Sequence, residues 1–267
     1  MNILQFWFSW DNWKKLFTPF EIIDKKVLTT VGLFQAALLV FAWAYLVPDK
    51  TFFPRLGEVA DGWADMWANG LGFHITQTLT LCLTATVISI VFSCIVAYSS
   101  RIPFFHGIAA AITKLRYNPI QGFTLFLTTM TGGGRVLQVT MLVIFMSFYF
   151  ITALMSVIDG IPEEDILRRK AQGMGRWRVL WRVVICDRAD YLIEVIRQNL
   201  SITFMMIVSV EAMNKAAGGL GALLVDRDRG LNFPKIFALQ LTILFIGIAL
   251  DALLRWIFRS FPANSKR

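Results

Sequence analysis

The residues best suited to specific chemistry lie in one polar segment, residues 162–190, which separates two long apolar runs. Seven of the 26 Lys and Arg residues fall in this basic island, namely Arg168, Arg169, Lys170, Arg176, Arg178, Arg182 and Arg188. Such a segment in a membrane protein has two interpretations. It is a cytoplasmic anchor, because positive residues resist translocation, or it is a docking element for a partner.

The internal order of the island favours docking. Acidic residues follow Pro162, as expected at a helix N-terminus. Residues 173–175, Gly-Met-Gly, predict a break in the helix. After the break, apolar residues recur at helical spacing and predict one amphipathic face, made of Trp177, Leu180, Trp181 and Val184. Helix, break and helix together predict a compact docking element.

The island resembles the cytoplasmic coupling loop of ABC-importer permeases, specifically the nitrate/sulfonate/taurine group. Gly173 matches the glycine of that loop, and Arg176-Trp177 match its Arg-Trp pair. The departures are Leu167-Arg168-Arg169, where Glu-Ala-Ala is expected, and Ile185-Cys186, where Leu-Pro is expected. The resemblance implies contact with a cytoplasmic ATP-binding subunit through Gly173, Gly175, Arg176, Trp177, Leu180, Trp181 and Arg182.

Two further segments resemble the same family. Leu115 to Pro119 is similar to its Leu-Arg-x-x-Pro motif, which implies a pathway role for Arg116 and Pro119. Glu211, followed by Gly218-Gly219-Leu220-Gly221, is similar to the glutamate and Gly-Leu-Gly of the family's fifth helix. The resemblance implies that Glu211, Gly218, Gly219 and Gly221 shape the external gate; the alternative is that Glu211 is a satisfied carboxylate at a helix interface.

Composition predicts an all-α polytopic membrane protein. The chain has 267 residues, of which 56% are apolar, and a mean hydropathy of +0.59. Residues 1–26 predict an amphipathic segment in the membrane interface, and residues 27–267 a transmembrane permease domain. The net charge of +8 does not indicate nucleic-acid binding, because the basic residues collect at the ends of apolar runs.

About six transmembrane helices are predicted, as in type I ABC-importer permeases. They cover residues 27–47, 74–98, 119–130, 136–158, 191–213 and 233–258. With the N-terminus inside, 18 Lys and Arg residues lie on the cytoplasmic side and seven outside. This asymmetry predicts that both termini and the basic island are cytoplasmic. The resemblance implies a bacterial plasma (inner) membrane.

No enzymatic constellation is predicted. Cys82, Cys94 and Cys186 lack metal-site spacing, and with His74 and His106 as the only histidines no metal centre or cofactor is expected. Charged residues in the spans predict two ion pairs at three- and four-residue spacing, Glu194 with Arg197 and Asp251 with Arg255. The family resemblance implies that ATP is hydrolysed on a separate partner subunit.

The resemblance implies an importer that takes a small anion, such as a sulfonate, taurine or nitrate. Its expected partners are the ATP-binding subunit, a second permease subunit in a homodimer or heterodimer, an external solute-binding protein and the lipid bilayer. Two alternatives from other classes remain: a secondary transporter, and a membrane scaffold that transports nothing. An internal repeat and ligands at the bilayer midplane would favour the secondary transporter.

Overall fold

The computed structural model describes residues 17–19, 23–46 and 53–260, and the regular structure within these ranges is helical throughout. The all-α prediction is confirmed. In chain order the α-helices are α1 (Lys25–Leu46), α2 (Leu56–Ala68), α3 (Leu71–Ser99), α4 (Pro103–Lys114), α5 (Thr124–Thr131), α6 (Gly134–Asp159), α7 (Glu163–Ala171), α8 (Arg176–Val179), α9 (Ala189–Met213), α10 (Leu220–Arg229) and α11 (Phe233–Ser260). The predicted interfacial segment, residues 1–26, lies largely outside the described ranges.

The chain divides into two compact units, Met1–Gly62 and Trp63–Arg267. In the first unit, α1 is apolar on all sides and most of its described side chains are exposed. A helix of this composition is stable when lipid surrounds it. The Trp43 indole Nε1 donates a hydrogen bond of 3.0 Å to the carbonyl of Pro54, which ties the helix to the segment that follows.

Four of the described helices are long and apolar enough to cross a bilayer: α1, α3, α6 and α11. A fifth crossing is available in α9 if its two parts, Tyr191–Leu200 and Ile202–Met213, count as one span bent by 41°. These helices confirm a polytopic membrane fold. Five of the six predicted spans coincide with these helices. The predicted third span, residues 119–130, does not.

The core of the second unit is the contact between α3 and α6. Small residues at every fourth position of α3 are buried against α6, namely Ala85, Ser89, Ser93 and Ala97. Small side chains let two helix backbones approach closely, which is how membrane helices gain packing energy. The Ser89 and Ser93 hydroxyls lie 3.5 and 3.4 Å from the carbonyls of Val143 and Ser147.

The direction of α3 and α6 follows from these contacts. Both serine contacts join residues 54 apart in the chain. At one end Arg135 of α6 donates a hydrogen bond of 2.8 Å to the Gln77 carbonyl, and at the other end Arg101 contacts Ile158. The two helices therefore run parallel, so the chain between them must return to the side from which α3 starts.

The return is made by a broken segment, which corrects the predicted third span. It consists of α4, two 3₁₀ turns (Leu115–Tyr117 and Ile120–Phe123) and α5. Helix α5 has eight residues, ~12 Å, against the ~30 Å that a bilayer core requires. The Phe123 ring packs 5.7 Å from that of Phe145, near the middle of α6. The return thus begins at Pro103, well before the predicted start at Pro119.

Helix α9 runs antiparallel to α6 and ends beside its first turn. The Asn214 amide donates to the Gly134 carbonyl at 2.8 Å, and the Gln138 amide donates to the Asn214 carbonyl at 2.8 Å. Helix α11 then returns along α9, since Asp251 lies 3.5 Å from Arg197. The predicted pairs Glu194–Arg197 and Asp251–Arg255 are both confirmed at 2.6 Å.

Candidate functional site

Helix α7 opens the basic island, and its sequence explains its ends. Pro162 precedes the first turn, which carries the three acidic residues predicted there, and the basic residues fill the last turn. Negative charges at the N-terminus and positive charges at the C-terminus both stabilise a helix through its dipole. Asp165 also lies 3.4 Å from Arg188, at the far end of the island, so the first helix is tied to the last residues of the segment.

The predicted break after α7 is present. Gly173 has φ +81°, a left-handed conformation that a β-carbon disfavours. The Met174 amide donates to the Arg169 carbonyl at 3.3 Å, which closes the helix end. Gly175 is extended and precedes α8. The chain therefore turns sharply between the two helical parts of the island.

The second part differs from the predicted single amphipathic face. Residues Leu180–Cys186 form a π-helix, and the Asp187 amide donates to the Arg182 carbonyl five residues earlier, at 2.9 Å. A π-turn is wider than an α-turn, so side chains seven residues apart no longer share a face. Val184 is accordingly buried, whereas Trp177 and Trp181 point outward.

The inner side of this part is anchored to the bundle. Val179, Val183 and Val184 are each at most 4% exposed, and Leu180 packs at the edge of the same core. The Asp187 carboxylate lies 3.7 Å from Arg169 and 3.8 Å from Arg182. These contacts hold the π-helix against both the bundle and α7, so the island is a packed element rather than an open loop.

The outer side of the island presents two tryptophans to solvent. Trp177 is 72% exposed and Trp181 is 63% exposed. The neighbouring Arg176 and Arg178 are also exposed, and within the described part of the chain neither forms an ion pair. Large aromatic side chains on a rigid surface, with a rim of arginines, are typical of interface anchors.

A second polar site lies at the opposite end of α6, ~39 Å from the island along that helix. It centres on Glu211, near the end of α9, whose side chain is fully buried. The Thr78 hydroxyl of α3 donates to this carboxylate, with distances of 2.8 and 2.9 Å to its two oxygens. The Gly221 amide donates to it at 3.0 Å. We call Glu211, Thr78 and residues 218–221 the carboxylate cluster.

The cluster joins three helices through backbone groups at the start of α10. The Leu220 amide donates to the Thr78 hydroxyl oxygen at 2.9 Å, so one hydroxyl accepts from α10 and donates to α9. The Gly221 amide and the helix dipole of α10 both favour a negative charge at this place. The buried carboxylate therefore caps α10 and fixes it against α3.

Two of the predicted glycines are required by this close approach. A β-carbon at Gly219 would overlap the Glu211 carboxylate, and φ there is +114°. At Gly221 a β-carbon would overlap the Val208 carbonyl and lie 2.9 Å from the Glu211 β-carbon. Gly218, with φ +75°, lies beside the rings of Phe73 and His74. The structure thus brings Glu211, Gly219 and Gly221 into direct contact.

Several members of this polar site were not predicted from sequence. His74 Nδ1 lies 3.1 Å from the Gly219 carbonyl and 3.2 Å from its amide. Gln138 is fully buried, and its side-chain oxygen accepts from Arg135 at 3.3 Å. The only sequence signal for Gln138 was a polar residue inside an apolar run. Thr78 has no comparable sequence signal, because it is one of many threonines in α3.

Arg116 and Pro119 lie apart from both sites, in the broken return between α4 and α5. The Arg116 guanidinium donates to the Tyr117 hydroxyl at 2.9 Å and lies 5.0 Å from the centre of the Tyr117 ring. Pro119 is exposed and precedes the second 3₁₀ turn. In the described ranges, no three residues of the types that ligate metals are close enough to hold an ion.

Comparison with known proteins shows the fold. A chain of the MetNI methionine ABC transporter, solved in inward-facing conformations, superimposes with a TM-score of 0.61 at 15% sequence identity. The match covers 71% of this chain and 95% of the transporter chain. No protein-family model matches the sequence, and no curated protein has significant similarity to it. The fold of the matched part of this chain is therefore one found in a chain of an ABC transporter.

Proposed function

We propose that this chain is the membrane-spanning permease subunit of an ATP-driven importer and that the basic island binds a separate ATPase subunit. The observation that carries the proposal is the pair of exposed tryptophans, Trp177 and Trp181, on an element packed firmly to the bundle. A rigid element with exposed anchors transmits movement from a bound partner into the helices. The likeness to an ABC transporter chain supports the same function.

The finer features of the proposal rest on the sequence motifs. We propose that the permease belongs to the nitrate/sulfonate/taurine group, takes a small anion, and forms a dimer with a second permease subunit. An external solute-binding protein delivers the solute, and the bacterial inner membrane holds the complex with both termini in the cytoplasm. Hydrolysis of ATP takes place on the partner subunit.

The carboxylate cluster is proposed to shape the external gate. Its position supports this role, because it lies at the end of the bundle opposite the island and ties α10 to α3 and α9. A change of angle between α3 and α9 would break the bonds of Thr78 and release α10. Movement that starts at the island would in this way open or close the far end of the bundle.

A tagged pull-down from native membranes in mild detergent tests the proposed ATPase contact. The variant pair is Trp177→Ala with Trp181→Ala, and the matched control is Trp67→Ala, an exposed tryptophan of α2. Truncation of a hot-spot tryptophan costs about 2–4 kcal/mol, so we expect the recovered ATPase to fall at least 30-fold with the pair and not with the control. Thermal stability is expected to remain unchanged, because both side chains are exposed.

Equal recovery of the ATPase with all variants would refute the role of the island. If the unaltered chain recovers no ATPase, the secondary-transporter or scaffold interpretation replaces ATP-driven import. Transport that continues after ATP depletion would then select the secondary transporter.

A further inference from the structure

The irregular part of the return segment, residues 115–123, is exposed at membrane depth. The return segment begins with α4 on the side where Arg101 contacts Ile158, and its irregular part ends at Phe123, whose ring packs against Phe145 near the middle of α6. Between these levels the backbone leaves helical geometry at Asn118 and Pro119, with ψ of 134° and 132°. Arg116 therefore lies between the membrane surface and its middle, whereas the predicted spans place it in a cytoplasmic loop.

The surface of this break is open and carries polar side chains beside apolar ones, since Leu115 and Phe123 are each 41% exposed. Tyr117 is 76% exposed, and Asn118 and Gln121 are exposed as well. A β-carbon added at Gly122 would meet no atom within 4 Å. Non-helical backbone facing lipid does not occur in membrane proteins, because its polar groups have no partners there. The break must therefore face water or another protein chain.

Arg116 gives this surface a positive charge. Its guanidinium contacts the neutral Tyr117, and within residues 53–260 it forms no ion pair. A charged side chain within a membrane segment is costly, and the charges that occur there mark functional sites. Broken helices near the membrane middle are typical solute sites, and arginine binds oxyanions through two parallel hydrogen bonds.

We propose that residues 115–123 line the water-filled solute path and that Arg116 binds the anionic group of the solute there, an oxyanion such as a sulfonate. This inference rests on the proposed permease function. The same chemistry is offered by the phosphate of a lipid headgroup, so the experiment separates the two sources.

The test measures labelling of a cysteine beside Arg116 in proteoliposomes. The reporter is Asn118→Cys in a chain whose native cysteines, Cys82, Cys94 and Cys186, are replaced by alanine, and Gln121→Cys is a second reporter. Two water-soluble methanethiosulfonate reagents are compared, one with a negative sulfonate and one with a positive ammonium group. The charge of Arg116 is varied as Arg116→Gln, with Arg116→Lys as the control that keeps it.

We expect the negative reagent to react about tenfold faster relative to the positive one when residue 116 is charged, and about equally fast in Arg116→Gln. Methanesulfonate at constant ionic strength is expected to slow labelling only when residue 116 is charged. Vesicles of purely zwitterionic lipid and vesicles with phosphatidylglycerol are expected to give the same result. If the pull-down recovers no ATPase, ATP-driven import is refuted. The labelling rates do not depend on that result, so the two proposals can fail separately.

Three outcomes would overturn the proposal. Cysteines that react only after detergent solubilisation would show that the break does not face water. Equal rates for both reagents in the Arg116 and Arg116→Gln proteins would show that the charge does not act on anions. Protection by phosphatidylglycerol, without protection by methanesulfonate, would assign Arg116 to a lipid headgroup.

Discussion

A single hydroxyl group, that of Thr78, connects three helices in the carboxylate cluster. It donates to the buried Glu211 carboxylate and accepts from the Leu220 amide. Thr78→Val keeps the shape of the side chain but leaves two buried polar groups without this partner, at about 1–3 kcal/mol each. We therefore expect Thr78→Val to lower the free energy of unfolding by at least about 2 kcal/mol, measured by thermal unfolding in detergent.

Thr78→Ser is the matched control, because it retains the hydroxyl and loses one methyl group. The serine variant is expected to unfold close to the temperature of the unaltered chain. If valine and serine were equally stable, the hydrogen bonds of Thr78 would contribute nothing, and the cluster would no longer explain how α10 is fixed.

The glycine at position 221 permits the contact between α10 and α9. Gly221→Ala places a methyl group on the Val208 carbonyl, and displacement of packed backbone costs about 1–3 kcal/mol. Gly72→Ala is the control, since Gly72 lies in α3 with no atom near an added β-carbon. We expect a clear loss of thermal stability for Gly221→Ala and none for Gly72→Ala; a similar effect of both would contradict the close approach.

The parallel packing of α3 on α6 depends on small residues. Ser93 is fully buried in this contact, and a leucine there would force the two helices apart at a cost of about 1–3 kcal/mol or more. Val87, also in α3, is 52% exposed, so Val87→Leu adds volume outside the contact. Ser93→Leu is expected to lower the unfolding temperature while Val87→Leu is not, and the opposite order would place α6 on the other face of α3.

Features within a single helix, such as its ends and its internal ion pairs, could be predicted from the sequence because neighbouring residues determine them. Pro162 and Gly173 predicted the start of α7 and its break, and three- and four-residue spacing predicted the pairs of Arg197 and Arg255. The π-helix was missed, because wide turns have no simple residue pattern and Trp177 to Val184 fits an α-helix equally well. The partner of Glu211 was missed because 133 residues separate it from Thr78.

For the molecule as a whole, five of the six predicted spans coincide with candidate membrane helices, and the predicted third span, residues 119–130, does not. Pro119 indicates a helix start and so predicts a span over residues 119–130, although that stretch is too short to cross alone. The parallel contact of α3 and α6 shows instead that the return extends back to Pro103. Hydropathy cannot reveal this arrangement, since it measures segments singly and the evidence is a contact between two of them.

The return makes a topological prediction that labelling from each side of the membrane checks. In a chain without native cysteines, His106→Cys lies beside the end of α3, and Thr131→Cys lies beside the start of α6. If the chain crosses between them, an impermeant maleimide labels the two positions from opposite sides, residue 106 in inside-out vesicles and residue 131 in intact cells. Gly160→Cys is the reference for the island side and is expected to behave as residue 106. Labelling of residues 106 and 131 from the same side would contradict the parallel arrangement, and with it the placement of Arg116 within the membrane.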